Sequence, residues 1–285
     1  MVFSRQFTPE EFNPDIILNS GQVFRMQIDT KGKQGGADIY SAYSGDCDLM
    51  FYYNQEKDTW DFVCDEAQWS FWQRYFDFET DYGKYNKAIL ESKDEFLKDS
   101  LKAAFGMRIL RQDLWETFIS YMVSQNNNIP KIKKTLNILC ERYSDGIHFP
   151  KAEVLASVPL DELTNGTALG YRAEYLSEFS KKVEAGDIVL ADFTKLSATT
   201  AYEKLLEIKG IGPKVANCIL LYGLHAMDSY PVDTWMKKII NEDYGHLSQT
   251  DYMSYINSSY SGYQGYIQQL QFYYKRHKKY LNLIL

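Results

Sequence analysis

Residues 208–224 read IKGIGPKVANCILLYGL, and this stretch decides the fold of everything around it. TTAYEKLLEI precedes it, so the order is helix, KGIG hairpin and helix, a helix-hairpin-helix at about 200–224. Gly210 and Gly212 reach backbone angles closed to other residues. They also leave amide N–H groups bare where the second helix begins, and Pro213 suits its first position. Orphan donors and the helix dipole make such a start a phosphate-binding site. Lys214 falls in the first turn, where the positive end of the dipole disfavours an ammonium ion. Partial burial acts the same way, and an uncharged lysine is a nucleophile. The plainer alternative is a lysine that snorkels to solvent or to a phosphate.

Asp233, in SYPVDTWMKKI, lies behind a rigid Pro-Val. The helix from 213 ends near 224, and a short loop returns the chain, which can bring Asp233 beside Lys214. There a carboxylate favours positive charge developing on a sugar, or takes a proton from the amine. Asp233 also suits the N-cap of the next helix, and both roles can coexist.

Working outward, residues 1–65 read as strands. NPDIILNSGQVFRMQI, DIYSAYSGDCDLMFYYN and TWDFVC are β-branched or aromatic runs, separated by KGKQGGA and NQEKD as turns. WSFWQRYF and KAILESKDEFLKDSLKAAF turn helical. From 112 onward all is helical with short breaks. QDLWETFISYMVSQ places Leu114, Trp115, Phe118, Ile119 and Met122 on one stripe, and GYQGYIQQLQFYYKRHKKY is the last helix. The predicted class is α+β: an N-terminal antiparallel sheet domain with flanking helices over 1–104, then an all-helical core over 105–285.

The net charge of −7 argues against a polyanion partner only on average. Residues 1–100 hold 19 acidic and 10 basic residues, so the surplus of acid lies entirely in the front part. The rear is mildly basic and compatible with salt-sensitive DNA binding. Cys47, Cys64, Cys140 and Cys218 have no metal-type spacing and read as reduced thiols of an intracellular protein. MVFSRQFTPEEF has no secretion-signal core, and no apolar run reaches membrane-spanning length. The expected setting is the nucleoid of a prokaryotic cytoplasm or a eukaryotic nucleus, with the chain a monomer that needs no cofactor and no metal.

KGIGPKVANC with PVD behind it resembles the helix-hairpin-helix DNA glycosylases that carry a Gly/Pro-rich loop and an essential aspartate. The lysine resembles the bifunctional glycosylase/lyase branch. The branch with a four-cysteine iron–sulfur cluster after this point does not fit, since no cysteine follows Cys218. NSGQVFR, SQNNNI, LGYRAEY and GYQGYIQQLQF, in that order over residues 18–272, resemble the eukaryotic-type 8-oxoguanine DNA glycosylase family.

That resemblance implies removal of 8-oxoguanine from duplex DNA by base flipping. It makes Lys214 the nucleophile on C1′ of the deoxyribose and Asp233 the stabiliser of an oxocarbenium-like transition state. It places Gly21, Cys218, Gln268 and Phe272 around the damaged base. The Gly21 carbonyl would accept from N7–H, Cys218 and Phe272 would flank the ring, and Gln268 would bond its Watson–Crick edge. Asn126, Lys131, Tyr171 and Arg172 would face the opposite strand, with Tyr171 as the wedge. Gly210, Gly212, Val215 and Trp235 would hold backbone phosphates.

The sequence departs from the family at several positions. Lys131 stands where the family has an arginine that reads cytosine, and lysine cannot fork bidentately, which predicts a relaxed preference for the opposite base. Trp235 replaces a histidine and Lys209 a proline, so Lys209 could add a phosphate contact. Lys275 replaces an acid, within a KRHKK cluster that faces either DNA or solvent. A glycosylase of this fold for other damaged purines, or a DNA-binding relative with a weak site, are the alternatives; retention of both Lys214 and Asp233 argues against the second.

Overall fold

The computed structural model describes residues 1–281, apart from the side chains of residues 30, 31 and 279–281. Five strands form one antiparallel sheet: β1 (Val2–Arg5), β2 (Met26–Gln34), β3 (Ala37–Ser44), β4 (Cys47–Asn54) and β5 (Thr59–Val63). Their order is β1-β5-β4-β3-β2, a meander from β2 to β5 with β1 returning along β5. One face buries Tyr40, Leu49, Phe51 and Phe62 against Phe12, Trp72 and Phe76, an aromatic cluster separate from the helical core. Phe12 meets the Phe76 ring edge-on at 5.4 Å, a favourable quadrupole geometry.

Three local expectations need correction. NPDIILN is a helix, Pro14–Asn19, not a strand. Asn13 accepts from the Ile16 amide at 3.3 Å and Pro14 takes the first position, so two start signals outweigh the β-branched residues. KGKQGGA is not wholly a turn: β2 continues through Gln34, with an irregular register between Asp29 and Lys33. Only Gly35 and Gly36 turn, both at positive φ, as a two-residue hairpin requires. KAILESKDEFLKDSLKAAF is two helices, Tyr82–Glu91 and Glu95–Ala103, because Asp94 caps the second through the Leu97 amide at 2.9 Å.

These two helices pack into the helical core, where the Tyr266 hydroxyl donates to Asn86 Oδ1 at 2.8 Å. Sheet and helices are fastened by buried polar groups. Arg25 pairs with Glu116 at 3.1 Å with both side chains nearly sealed from water. Gln22, fully buried, donates to the Arg108 carbonyl at 2.9 Å and accepts from the Leu110 amide at 2.9 Å. So Gln22 and Arg25 of SGQVFR anchor the turn that presents Gly21. No helix among the described residues is long and apolar enough to cross a membrane.

Candidate active site

The hairpin lies between helices Ala198–Leu206 and Pro213–Tyr222. Gly210 sits at φ +85°, and a Cβ there would fall 2.6 Å from Tyr175 Cγ, so both conformation and space demand glycine. The Gly210 carbonyl accepts from Gln125 Nε2 at 2.8 Å, which ties the hairpin to the end of helix Leu114–Val123. Gly212 is the N-cap, with no side chain capping it and open space around its Cα. The first intrahelical bond is Ala216 N–H to the Gly212 carbonyl at 2.9 Å, leaving the Lys214 and Val215 amides without helical partners. The Val215 side chain is buried, so only its backbone is available to an anion.

Lys214 does not reach into bulk solvent. Its half-buried Nζ donates to Ser124 Oγ at 3.0 Å and lies 5.3 Å from the centroid of the Tyr121 ring. Cys218 and Tyr222 follow on the same helix face and are buried. Burial pushes the Cys218 thiol up to about 11; Lys214 draws it down and Asp233 pushes it up. Asp233 is also the N-cap of helix Thr234–Glu242, accepting from the Met236 amide at 2.9 Å. Trp235, half-buried, lies under Lys238 Nζ at 5.7 Å from its ring.

The last helix, Gln264–Leu281, carries Gln268 and Phe272. Gly21, at φ +83°, comes so near it that a Cβ would meet Phe272 Cε1 at 3.3 Å and Arg276 Nη1 at 3.2 Å. The turn after helix Pro14–Asn19 and the last helix thus stand against each other. Gln269 and Gln271 are spent on structure: Gln269 donates to the Ser20 carbonyl at 2.7 Å and Gln271 accepts from Tyr230 and Tyr252 at 2.7 Å each. Gln268 is equally buried, yet its Oε1 has no partner. A buried acceptor left open beside Phe272 suits a ligand that brings a donor.

The opposite-strand set converges as well. Asn126 is exposed, in the left-handed region at φ +46°, while Asn128 caps helix Ile129–Tyr143 and Asn127 ties back to the Val123 carbonyl. Arg172 is buried and donates to the Gln125, Asn126 and Leu169 carbonyls, so it clamps the Asn loop from below. Its guanidinium carries the Tyr171 ring, whose centroid is 4.6 Å away and which is 52% exposed. Lys131 is exposed at the start of helix Ile129–Tyr143, its amide donating to Asn128 Oδ1 at 3.0 Å.

Sequence reasoning missed Ser124, Tyr121 and Arg276. Ser124 immediately precedes QNNN, and that adjacency was the one available signal. Two expectations for flanking lysines are corrected. Lys209 is not free for a phosphate: it pairs with Glu174 at 2.8 Å and Glu178 at 3.1 Å. Lys275 faces neither DNA nor solvent, because Glu242 at 2.9 Å and Asp243 at 2.5 Å hold it. Lys279 of the same cluster lies outside the described side chains.

A family described as the 8-oxoguanine DNA glycosylase N-terminal domain matches residues 5–118, and the helix-hairpin-helix base excision DNA repair superfamily matches residues 119–258. The chain belongs to the 8-oxoguanine DNA glycosylase family. The solved structure of MBOgg1 in complex with a low-affinity DNA ligand is 31% identical, with a TM-score of 0.86 over 98% of this chain and 96% of that one. The Clostridium acetobutylicum 8-oxoguanine glycosylase/lyase, in complex with double-stranded DNA containing cytosine opposite 8-oxoguanine, is 26% identical. Its TM-score is 0.83 over 98% of both chains. The N-glycosylase/DNA lyase of Saccharomyces cerevisiae is 28% identical over 278 residues, 86% of this chain and 72% of that protein.

Proposed function

We propose that this 8-oxoguanine DNA glycosylase is bifunctional and that Lys214 performs both steps. The flipped nucleotide enters between Cys218 and Phe272, with the Gly21 carbonyl on its N7 edge and the open Gln268 Oε1 toward its Watson–Crick edge. Guanine has a bare acceptor at N7, which the Gly21 carbonyl repels; 8-oxoguanine has an N7–H that it accepts. Such a difference is worth several kcal/mol, roughly, in a dry pocket. The Lys214 amine bonds to C1′ as the glycosidic bond breaks and the base leaves. Asp233 stabilises the positive charge that develops on the sugar. The resulting iminium acidifies the C2′ hydrogen, and its loss expels the 3′ phosphate and nicks the strand. Only an amine makes this intermediate, which is why a lysine is needed rather than a water.

The observation that carries this reading is the half-buried Lys214 side chain, in the first turn after the hairpin, with its Nζ held on Ser124 Oγ at 3.0 Å rather than turned out to solvent. The bare Lys214 and Val215 amides at the hairpin suit a phosphate, and Trp235 offers an indole nearby. Tyr171 is the wedge, Asn126 fills the gap left by the base, and Arg172 acts mainly by holding that loop. Residues 1–104 form the bracing part and supply Gly21; residues 105–285 supply the nucleophile. One chain provides the whole set, so it acts as a monomer, wherever duplex DNA is kept in the cell: nucleoid or nucleus. Lys131 offers a single donor, so the base opposite the lesion is weakly discriminated.

Borohydride reduction tests the covalent step. Wild type should be trapped on a duplex bearing 8-oxoguanine, and Lys214→Gln should fold but give no adduct. Equal trapping of the variant assigns the nucleophile elsewhere.

A further inference from the structure

Arg276 lies one helical turn beyond Phe272, with its Cζ 5.5 Å from the centroid of that ring. Its Nη1 comes close enough to Gly21 that a Cβ there would lie 3.2 Å away. This nitrogen is buried and has no hydrogen-bond partner. Gln268 Oε1, on the same helix, is unpartnered too, so one wall presents both an open acceptor and an open donor. The neighbours of Arg276 in sequence are spent: Lys275 is ion-paired, and the His277 ring contacts the Tyr273 carbonyl at 2.8 Å. Burial opposes the charge on Arg276, while Tyr273 and, less, Asp233 favour it. A buried guanidinium donor without an acceptor is costly in the free protein, and it is costless only if something that enters the pocket supplies the acceptor.

The lesion has such acceptors next to Gly21. In 8-oxoguanine the N7–H lies between two exocyclic carbonyl oxygens, O6 and O8. If the Gly21 carbonyl takes N7–H, a donor beside Gly21 faces one of the flanking oxygens. We propose that Arg276 is a specificity-determining residue that donates from its guanidinium to a carbonyl oxygen flanking N7–H of the extruded base. The donor and the Gly21 carbonyl together then match the alternating pattern of that edge. The inference rests on the pocket assignment made above for Gly21 and Phe272.

The test compares two substrates in the same duplex, 8-oxoguanine and a pre-formed abasic site, under single-turnover conditions. Arg276→Met keeps much of the side-chain volume on Phe272. It should slow base excision by roughly ten- to a hundredfold, the loss expected for one charge-assisted hydrogen bond. Nicking at the abasic site, which has no base to read, should stay within about twofold. Arg276→Lys should recover part of the excision rate, which a purely structural role would not predict. Equal slowing on both substrates would place the guanidinium on the DNA backbone or in the fold and overturn the proposal, as would unchanged excision by Arg276→Met. The pocket assignment stands or falls separately: Phe272→Ala with undiminished excision would remove it.

Discussion

Lys214 Nζ and Ser124 Oγ meet at 3.0 Å across 90 positions of sequence, joining the hairpin helix to the loop that carries the three asparagines. Ser124 caps the end of its helix and donates its own hydroxyl proton to the Tyr121 carbonyl at 2.7 Å. Its oxygen is thus an oriented acceptor for the amine. Ser124→Ala should fold normally and lower the single-turnover excision rate by up to about tenfold, the worth of one neutral hydrogen bond. An unaltered rate would mean that this contact is absent from the reacting complex.

Asp233 combines a cap and a charge, and the two can be separated. Asparagine is as good an N-cap as aspartate, so Asp233→Asn should melt like wild type. Excision should fall by roughly a hundredfold or more, because only the carboxylate opposes positive charge on the sugar. A variant that loses stability and activity in parallel would reduce Asp233 to a cap.

The two hairpin glycines should behave differently. Gly210→Ala places a Cβ against Tyr175 in a left-handed conformation and should cost about 2–4 kcal/mol in stability, read by denaturant unfolding. Gly212 has no positive φ and nothing within 4 Å of its missing Cβ. Gly212→Ala should leave stability nearly unchanged and weaken binding to duplex DNA. Loss of stability at both positions, with DNA binding intact, would remove the hairpin from the DNA contact.

Lys131 sets the opposite-base prediction. Wild type should excise 8-oxoguanine opposite all four bases at rates within a narrow range. Lys131→Arg should sharpen the preference for cytosine by roughly tenfold, since a fork can make two bonds where an ammonium makes one. A steep fall opposite adenine in wild type would count against a relaxed reader.

Cys218 should be inert at neutral pH. Burial raises its thiol to about 11, so the thiol form prevails below that value and the reactive thiolate appears only as pH approaches it. Alkylation by iodoacetamide, read by mass spectrometry, should spare Cys218 at pH 7–8 and rise toward pH 10–11. Modification at pH 7 as fast as that of the half-exposed Cys47 would contradict this burial.

Much of the site was legible because its signals are local. Glycines at positive φ, a proline at a helix start and an aspartate before TWMKK announce themselves within a few residues, and the order of short segments matches the family. The helix at Pro14–Asn19 was misread for the same reason: composition favoured a strand, but Asn13 and Pro14 together started a helix. Lys209 and Lys275 were misjudged because their acid partners lie on other helices.

By itself, then, the chain's sequence determined the hairpin, the candidate nucleophile, the capping aspartate and the α+β division, since each depends on backbone angles and contacts within a turn or two. Tertiary structure alone decided that Ser124 receives the lysine, that Arg172 is consumed by three backbone carbonyls, and that Arg276 reaches Gly21 from the other end of the chain. Those pairings follow from which apolar faces bury together. Burial is non-directional and acts without regard to sequence separation, so no short window of residues records it.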